Sequence, residues 1–155
     1  MEIRTSAASF FQNILLSADV DQLLPPDLDV IHALPNTVDR DGLCATPDAA
    51  EIRATVFGIN SDSTSGPDGF SFLFFQHCWD FMATDVIADV QDFFSGGFMP
   101  CSFVATTIVW LPKKTNPETW ADYHPISLCN VTNKIISKIL TSHLAPLLPL
   151  VLAPN

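Results

Sequence analysis

Charge is scarce in this sequence, and positive charge is scarcer still. Of 155 residues, 15% are Asp, Glu, Lys or Arg, against about 25% in ordinary soluble domains. Seven residues are Lys or Arg, and the net charge is −10. A field of that sign does not draw nucleic acid to the molecule as a whole. Disorder needs dense charge and little hydrophobicity, and the 48% of apolar residues excludes it. The four cysteines, Cys44, Cys78, Cys101 and Cys129, form no CxxC pair. That argues against a zinc ribbon or a thioredoxin-type site and for buried or half-buried free thiols in a reducing compartment. No apolar run reaches the ~18 residues of a membrane span. The nearest, Leu144 to Ala153, is cut by Pro146 and Pro149. The N-terminal apolar stretch is broken by Gln12 and Asn13, which suits an amphipathic helix better than a signal peptide. The expectation is an intracellular protein with no membrane segment.

What charge there is lies unevenly. Residues 1–92 hold fifteen acids and three Arg, while residues 93–155 hold four Lys and two acids. Only the second part is suited to meeting phosphate. The length fits a single domain. Apolar spacing predicts a helix within 8–24, then a Pro- and Asp-rich loop over 25–45. Thr46-Pro47-Asp48 reads as a helix start capped by Thr46, with Ala49, Ile52, Val56 and Phe57 on one face and Gly58 as its stop. Gly66-Pro67-Asp68-Gly69 reads as a turn. Phe72, Phe75, Trp79, Met82 and Ala83 share a helical stripe. Thr84-Asp85 reads as a fresh cap, and Gly96-Gly97 ends the helix that follows. The β-branched stretch 103–111 predicts a buried strand ended by Pro112. Residues 113–124 read as a loop and 125–131 as extended. Thr132 is expected to cap a last helix bearing Ile135, Ile136, Ile139, Leu140 and Leu144. The fold class is α+β, mainly helical. Its one or two strands lack partners, as if part of a sheet were missing.

Familiar catalytic constellations are missing. There is no Asp-Asp dipeptide, no HxxxH or HExxH spacing, no Gly-x-Ser-x-Gly elbow and no phosphate-binding glycine loop. Asp27, Asp29, Asp39 and Asp41 read as solvated loop acids. His32, His77, His124 and His143 read as surface or packing residues rather than ligands. Three segments remain: Ser65-Gly66-Pro67-Asp68-Gly69-Phe70, then Ile108-Val109-Trp110-Leu111-Pro112-Lys113-Lys114, then Tyr123-His124-Pro125-Ile126-Ser127-Leu128-Cys129-Asn130 running into Lys134-Ile135-Ile136-Ser137-Lys138. Each is weak alone, but their order and spacing are specific.

With Phe74-Phe75-Gln76-His77-Cys78-Trp79 between the first two, the set resembles the reverse transcriptase of non-LTR (LINE-type) retrotransposons, above all the plant lineage. The resemblance covers residues 46–155. It implies a connector over 1–45 and a partial reverse transcriptase domain over 46–155, the fingers of a right-hand polymerase whose palm is missing. The family function is RNA-directed DNA synthesis, a nucleotidyl transfer. The family's catalytic acids sit in the palm, so the resemblance assigns no catalytic residue here and no metal. Magnesium is expected only in an intact member. It places the nucleotide's triphosphate against Lys113 and against the position before Pro125, here His124 where the family has Arg. It gives Lys114, Lys134 and Lys138 to nucleic acid, with RNA template and primer DNA as partners. Solvated turns and faces are the plainer reading of the same lysines. His143 also stands where the family tends to have Arg, and both Arg-to-His differences are single G-to-A transitions, as in a decaying copy. Two alternatives stand beside this reading. One is a small acidic remnant that binds a protein partner through exposed apolar surface. The other is a translated pseudogene fragment without activity.

Overall fold

The computed structural model describes residues 2–16 and 40–151. Helix α1 spans Glu2–Leu16, beginning earlier than the apolar spacing suggests. The expected continuation to 24, most of the 25–45 loop, His32 and the acids at 27, 29 and 39 lie outside the described residues. A short helix α2, Arg40–Leu43, follows. Helix α3 is Ala49–Gly58. Its cap is Asp48 and not Thr46: the Asp48 carboxylate accepts the Glu51 amide at 2.7 Å. Pro47, expected inside the helix, sits ahead of the cap and is fully buried.

The aromatic stripe is split. Helix α4 is Phe72–His77 and helix α5 is Trp79–Phe94. The break falls at Cys78, and Thr84-Asp85 is continuous helix rather than a new start. Ser71 caps α4 by accepting the Phe74 amide at 3.3 Å. Gly96 closes α5 with φ +87. The Gly97 amide reaches back to the Asp92 carbonyl at 2.8 Å and the Gly96 amide to Phe93 at 3.0 Å, the bonding pattern of a Schellman stop.

After a short helix α6, Cys101–Val104, strands β1, Thr106–Pro112, and β2, Tyr123–Cys129, pair antiparallel from Thr106↔Cys129 to Pro112↔Tyr123. They form the two-stranded sheet of the described residues. Helix α7, Val131–Leu144, starts at Asn130 rather than at Thr132, and the short helix α8 is Leu148–Val151. The architecture is mixed helix and strand.

One core joins α3, α4, α5 and α7. It is built from Ile52 and Val56, Phe72 and Phe75, Trp79, Val86 and Val90, and Val131, Ile135, Ile136 and Ile139. Each such side chain contributes about 1.5–3 kcal/mol on leaving water, so these four helices hold the body together. Strand β1 was expected to be buried but is mostly exposed. With only β2 beside it, it can hide one face at most. That face, with Trp110, meets α1, where Phe11 stacks on the Trp110 ring at 4.1 Å between centroids and the Trp120 indole donates to Ser6 at 3.0 Å. Among the described residues no helix is long and apolar enough to cross a membrane. Cys78 and Cys129 are half-buried as expected, whereas Cys44 and Cys101 are exposed; all four are free thiols.

Candidate nucleic-acid interface

Side chains alternate across a strand, so the register Leu111↔His124 sets those two on one face with Val109 and Ile126. This is the face turned away from Trp110 and α1. Its apolar residues are partly open, with Leu111 and Ile126 both exposed. Just past β1, the Lys113 amide donates to the Asp122 carbonyl at 2.7 Å, which carries the pairing one step beyond the strand. Lys113 and His124 therefore occupy the same end of the hairpin.

The loop joining the strands is braced by one carboxylate. Asp122 Oδ2 accepts the amides of Glu118 at 2.9 Å and Thr119 at 3.0 Å, and the Thr119 hydroxyl at 3.2 Å. The Lys114 ammonium lies 3.1 Å from the same oxygen. The amides, and then the lysine, hold the Asp122 carboxyl well below the usual carboxylate range. The Lys113 ammonium donates to the Ala121 carbonyl at 2.8 Å. Both lysines of the hairpin are thus engaged by its own loop, and His124 is exposed.

The other two lysines lie elsewhere. Lys134 and Lys138 are on α7, which follows the opposite end of β2. The Lys134 ammonium is bonded to the Thr64 carbonyl. Lys138 is exposed. Among the described residues, no three His, Cys, Asp or Glu side chains gather into a possible metal site.

The structure instead connects the motifs through residues not marked by charge or periodicity. Asn130 is buried, 5% exposed. Its Oδ1 accepts the Asp68 amide at 3.3 Å, and its Nδ2 donates to the Ser102 carbonyl at 2.9 Å. A single amide side chain thus ties the Gly-Pro-Asp-Gly turn, α6 and the head of α7. The turn itself closes by Gly69 N–H to Gly66 O at 3.1 Å, with Gly69 at φ +78. The Asp68 carboxylate accepts the Phe70 amide at 3.0 Å, the local bond that an Asp in a turn favours. Gly66 lies hard against Asn130: a Cβ there would come within 2.4 Å of the Asn130 backbone nitrogen and 2.5 Å of the Cys129 carbonyl carbon. The first and third motifs therefore form one contact. Gln76, inside the aromatic motif, donates to the carbonyls of Val56 at 2.8 Å and Ile59 at 2.9 Å, closing the end of α3. His143 Nε2 meets the Glu51 carboxylate at 2.8 Å, linking α7 to α3.

No protein-family model matches the chain. The chain is 27% identical over 158 aligned positions to the "Transposon TX1 uncharacterized 149 kDa protein" of Xenopus laevis. The match takes in 99% of this chain and 12% of that protein's length. The chain is therefore similar, from end to end, to a short stretch of a much longer transposon protein.

Proposed function

We propose that the chain is part of a transposon-encoded reverse transcriptase of the non-LTR type, with a connector over 1–45 and fingers over 46–155. Its part in the reaction is to hold RNA template, primer DNA and the incoming nucleotide. The chemistry belongs to carboxylates outside this sequence, which has no Asp-Asp pair. The observation that carries the proposal is the end-to-end similarity to a transposon protein. That protein is from Xenopus laevis, so the similarity gives no support to a plant lineage.

The hairpin geometry supports the residue roles. Lys113 and His124 share one end, in a position to meet a triphosphate together. To reach phosphate, Lys113 must leave the Ala121 carbonyl. The full negative charge of a phosphate attracts the ammonium more strongly than the carbonyl dipole does, which offsets that loss. His124, uncharged when neutral, offers neither the charge nor the fork of an Arg. Lys114, Lys134 and Lys138 are assigned to nucleic-acid backbone.

The test is fluorescence anisotropy of the full chain with a labelled deoxynucleoside triphosphate and with a labelled RNA–DNA duplex. His124→Arg should tighten nucleotide binding about tenfold and Lys113→Ala should weaken it, as expected for one charge-assisted contact of about 1.4 kcal/mol. Replacing Lys114 and Lys138 together should lower the salt slope of duplex binding by about two, near 0.9 per phosphate contact. Unchanged nucleotide affinity in both single variants, or an unchanged salt slope, refutes the assignment.

A further inference from the structure

An open apolar cavity lies away from the hairpin. A cavity of about 680 Å³ opens between α4, α5, α6 and the Gly66–Gly69 turn. Its walls are aromatic and thioether: Phe70, Phe74, Phe75, Phe103 and Met82, with Phe81 at the mouth. Phe81 is 90% exposed, a costly position for a large apolar ring unless something covers it.

The rim has one sign. Asp68, Asp85 and Asp89 border this cavity, and Asp89 and Asp92 border a smaller adjoining one of about 80 Å³. Neither is lined by any Lys, Arg or His. Residues 85, 89 and 92 follow helical spacing, so their carboxylates form a stripe along α5 beside the aromatic floor. They repel one another. Partial desolvation, then Asp85, then Asp92 push the Asp89 carboxyl above its ordinary value. A cation laid along the stripe relieves that repulsion.

We propose that this groove docks a basic amphipathic helix of a partner protein, its apolar side against Phe81 and the cavity and its Lys or Arg flank along Asp85, Asp89 and Asp92. Charge complementarity selects that occupant. The chain's own residues 17–39 carry Asp19, Asp21, Asp27, Asp29 and Asp39 and no Lys or Arg, so they share the rim's sign. A second copy brings a net charge of −10. Nucleic acid is repelled for the same reason. Met82 adds an adaptable wall suited to helical targets.

The experiment titrates the full chain into a fluorescein-labelled peptide of about 18 residues, with Leu at i, i+3, i+4 and i+7 and Lys elsewhere. Two control peptides have Glu in place of Lys, or the same composition in scrambled order. The Leu/Lys helix should bind at least about tenfold tighter than either control. Asp85→Asn with Asp89→Asn, and separately Phe81→Ser, should each weaken it about tenfold while leaving a cooperative melt. Because Phe81 is 90% exposed, its replacement leaves the core intact. Equal binding of the Glu or scrambled peptide overturns the proposal, as does unchanged affinity in both variants. So does a dimer of the free chain that Phe81→Ser dissolves, which would assign the groove to a second copy. Binding of a labelled short RNA that Phe81→Ser abolishes overturns it as well, since it would place nucleic acid in the groove.

Discussion

Replacing Gly66 by Ala tests whether the first and third motifs are one structural unit. The backbone at 66 has no positive φ, so the substitution carries no conformational penalty of that kind. The cost is steric. The new Cβ would lie 2.3 Å from Asn130 Oδ1, 2.4 Å from Asn130 N and 2.5 Å from the Cys129 carbonyl carbon. Two of these three atoms are backbone and cannot rotate away. Either the turn lifts off or the head of α7 shifts. Overpacking of this kind costs about 1–3 kcal/mol. Moving the turn also strains the Asp68–Asn130 bond of 3.3 Å, and a lost hydrogen bond adds about 1 kcal/mol. The total is about 2–4 kcal/mol. At about 2–4 °C per kcal/mol for a chain of this size, the melting temperature should fall by roughly 5–15 °C. Gly58→Ala is the matched control, since nothing lies within 4 Å of a Cβ there. It should be neutral or stabilising by up to about 1 kcal/mol. Urea denaturation followed by circular dichroism reads both. Adding Asn130→Ala should recover only part of the loss, because the backbone atoms remain. A Gly66→Ala protein as stable as the parent refutes the close approach and the coupling built on it.

Other outcomes follow from the same geometry. The folded Asp122 carboxyl titrates below its ordinary 3.8, so its contribution is complete above that pH and is lost as pH falls through the lower, folded value. Hydrogen exchange at the Glu118 and Thr119 amides should therefore stay slow down to about pH 4, and Asp122→Asn should speed it at neutral pH. Asp89 has the opposite sign. Its raised value penalises the folded state above that pH and not below 3.8. Asp89→Asn should raise the melting temperature at pH 7 and leave it unchanged at pH 3. His143→Arg should keep the Glu51 link through a permanent cation, whereas His143→Leu should lower the melting temperature. Equal melting temperatures for the parent and His143→Leu would count against the 2.8 Å contact.

Helix and strand positions were largely legible because apolar spacing is local. The stop at Gly96-Gly97 and the turn closed at Gly69 follow from the positive φ that glycine accepts, whereas α3 ends at Gly58 without one. The starts were misplaced where neighbouring residues compete. Thr46 and Asp48 are both good caps, and the choice falls to Asp48 because Pro47 is buried, with its carbonyl accepting from Gln91 at 2.9 Å. The stripe through Phe72, Phe75, Trp79 and Met82 keeps its spacing across the α4–α5 break, so periodicity does not reveal Cys78. The β-branched run at 106–111 has the composition of a buried strand, but burial depends on partners that composition does not reveal. Lys113 and His124 were found from motif order, and strand pairing brings them together. Asn130 stands in the third motif, but its tying role is not legible there because its partners are far away in sequence: the Asp68 amide is 62 residues from it.

That separation also sets the timing of synthesis. Helices α3, α4 and α5 are complete by Phe94, yet the core they surround lacks Val131, Ile135, Ile136 and Ile139 until α7 leaves the ribosome. At about 5–20 residues per second the interval lasts several seconds. During it, the core faces of α3 and α5 lack the cover that α7 supplies. The nascent chain is most exposed to chaperones and to aggregation in those seconds, and any pause between the codons for 94 and 139 prolongs them.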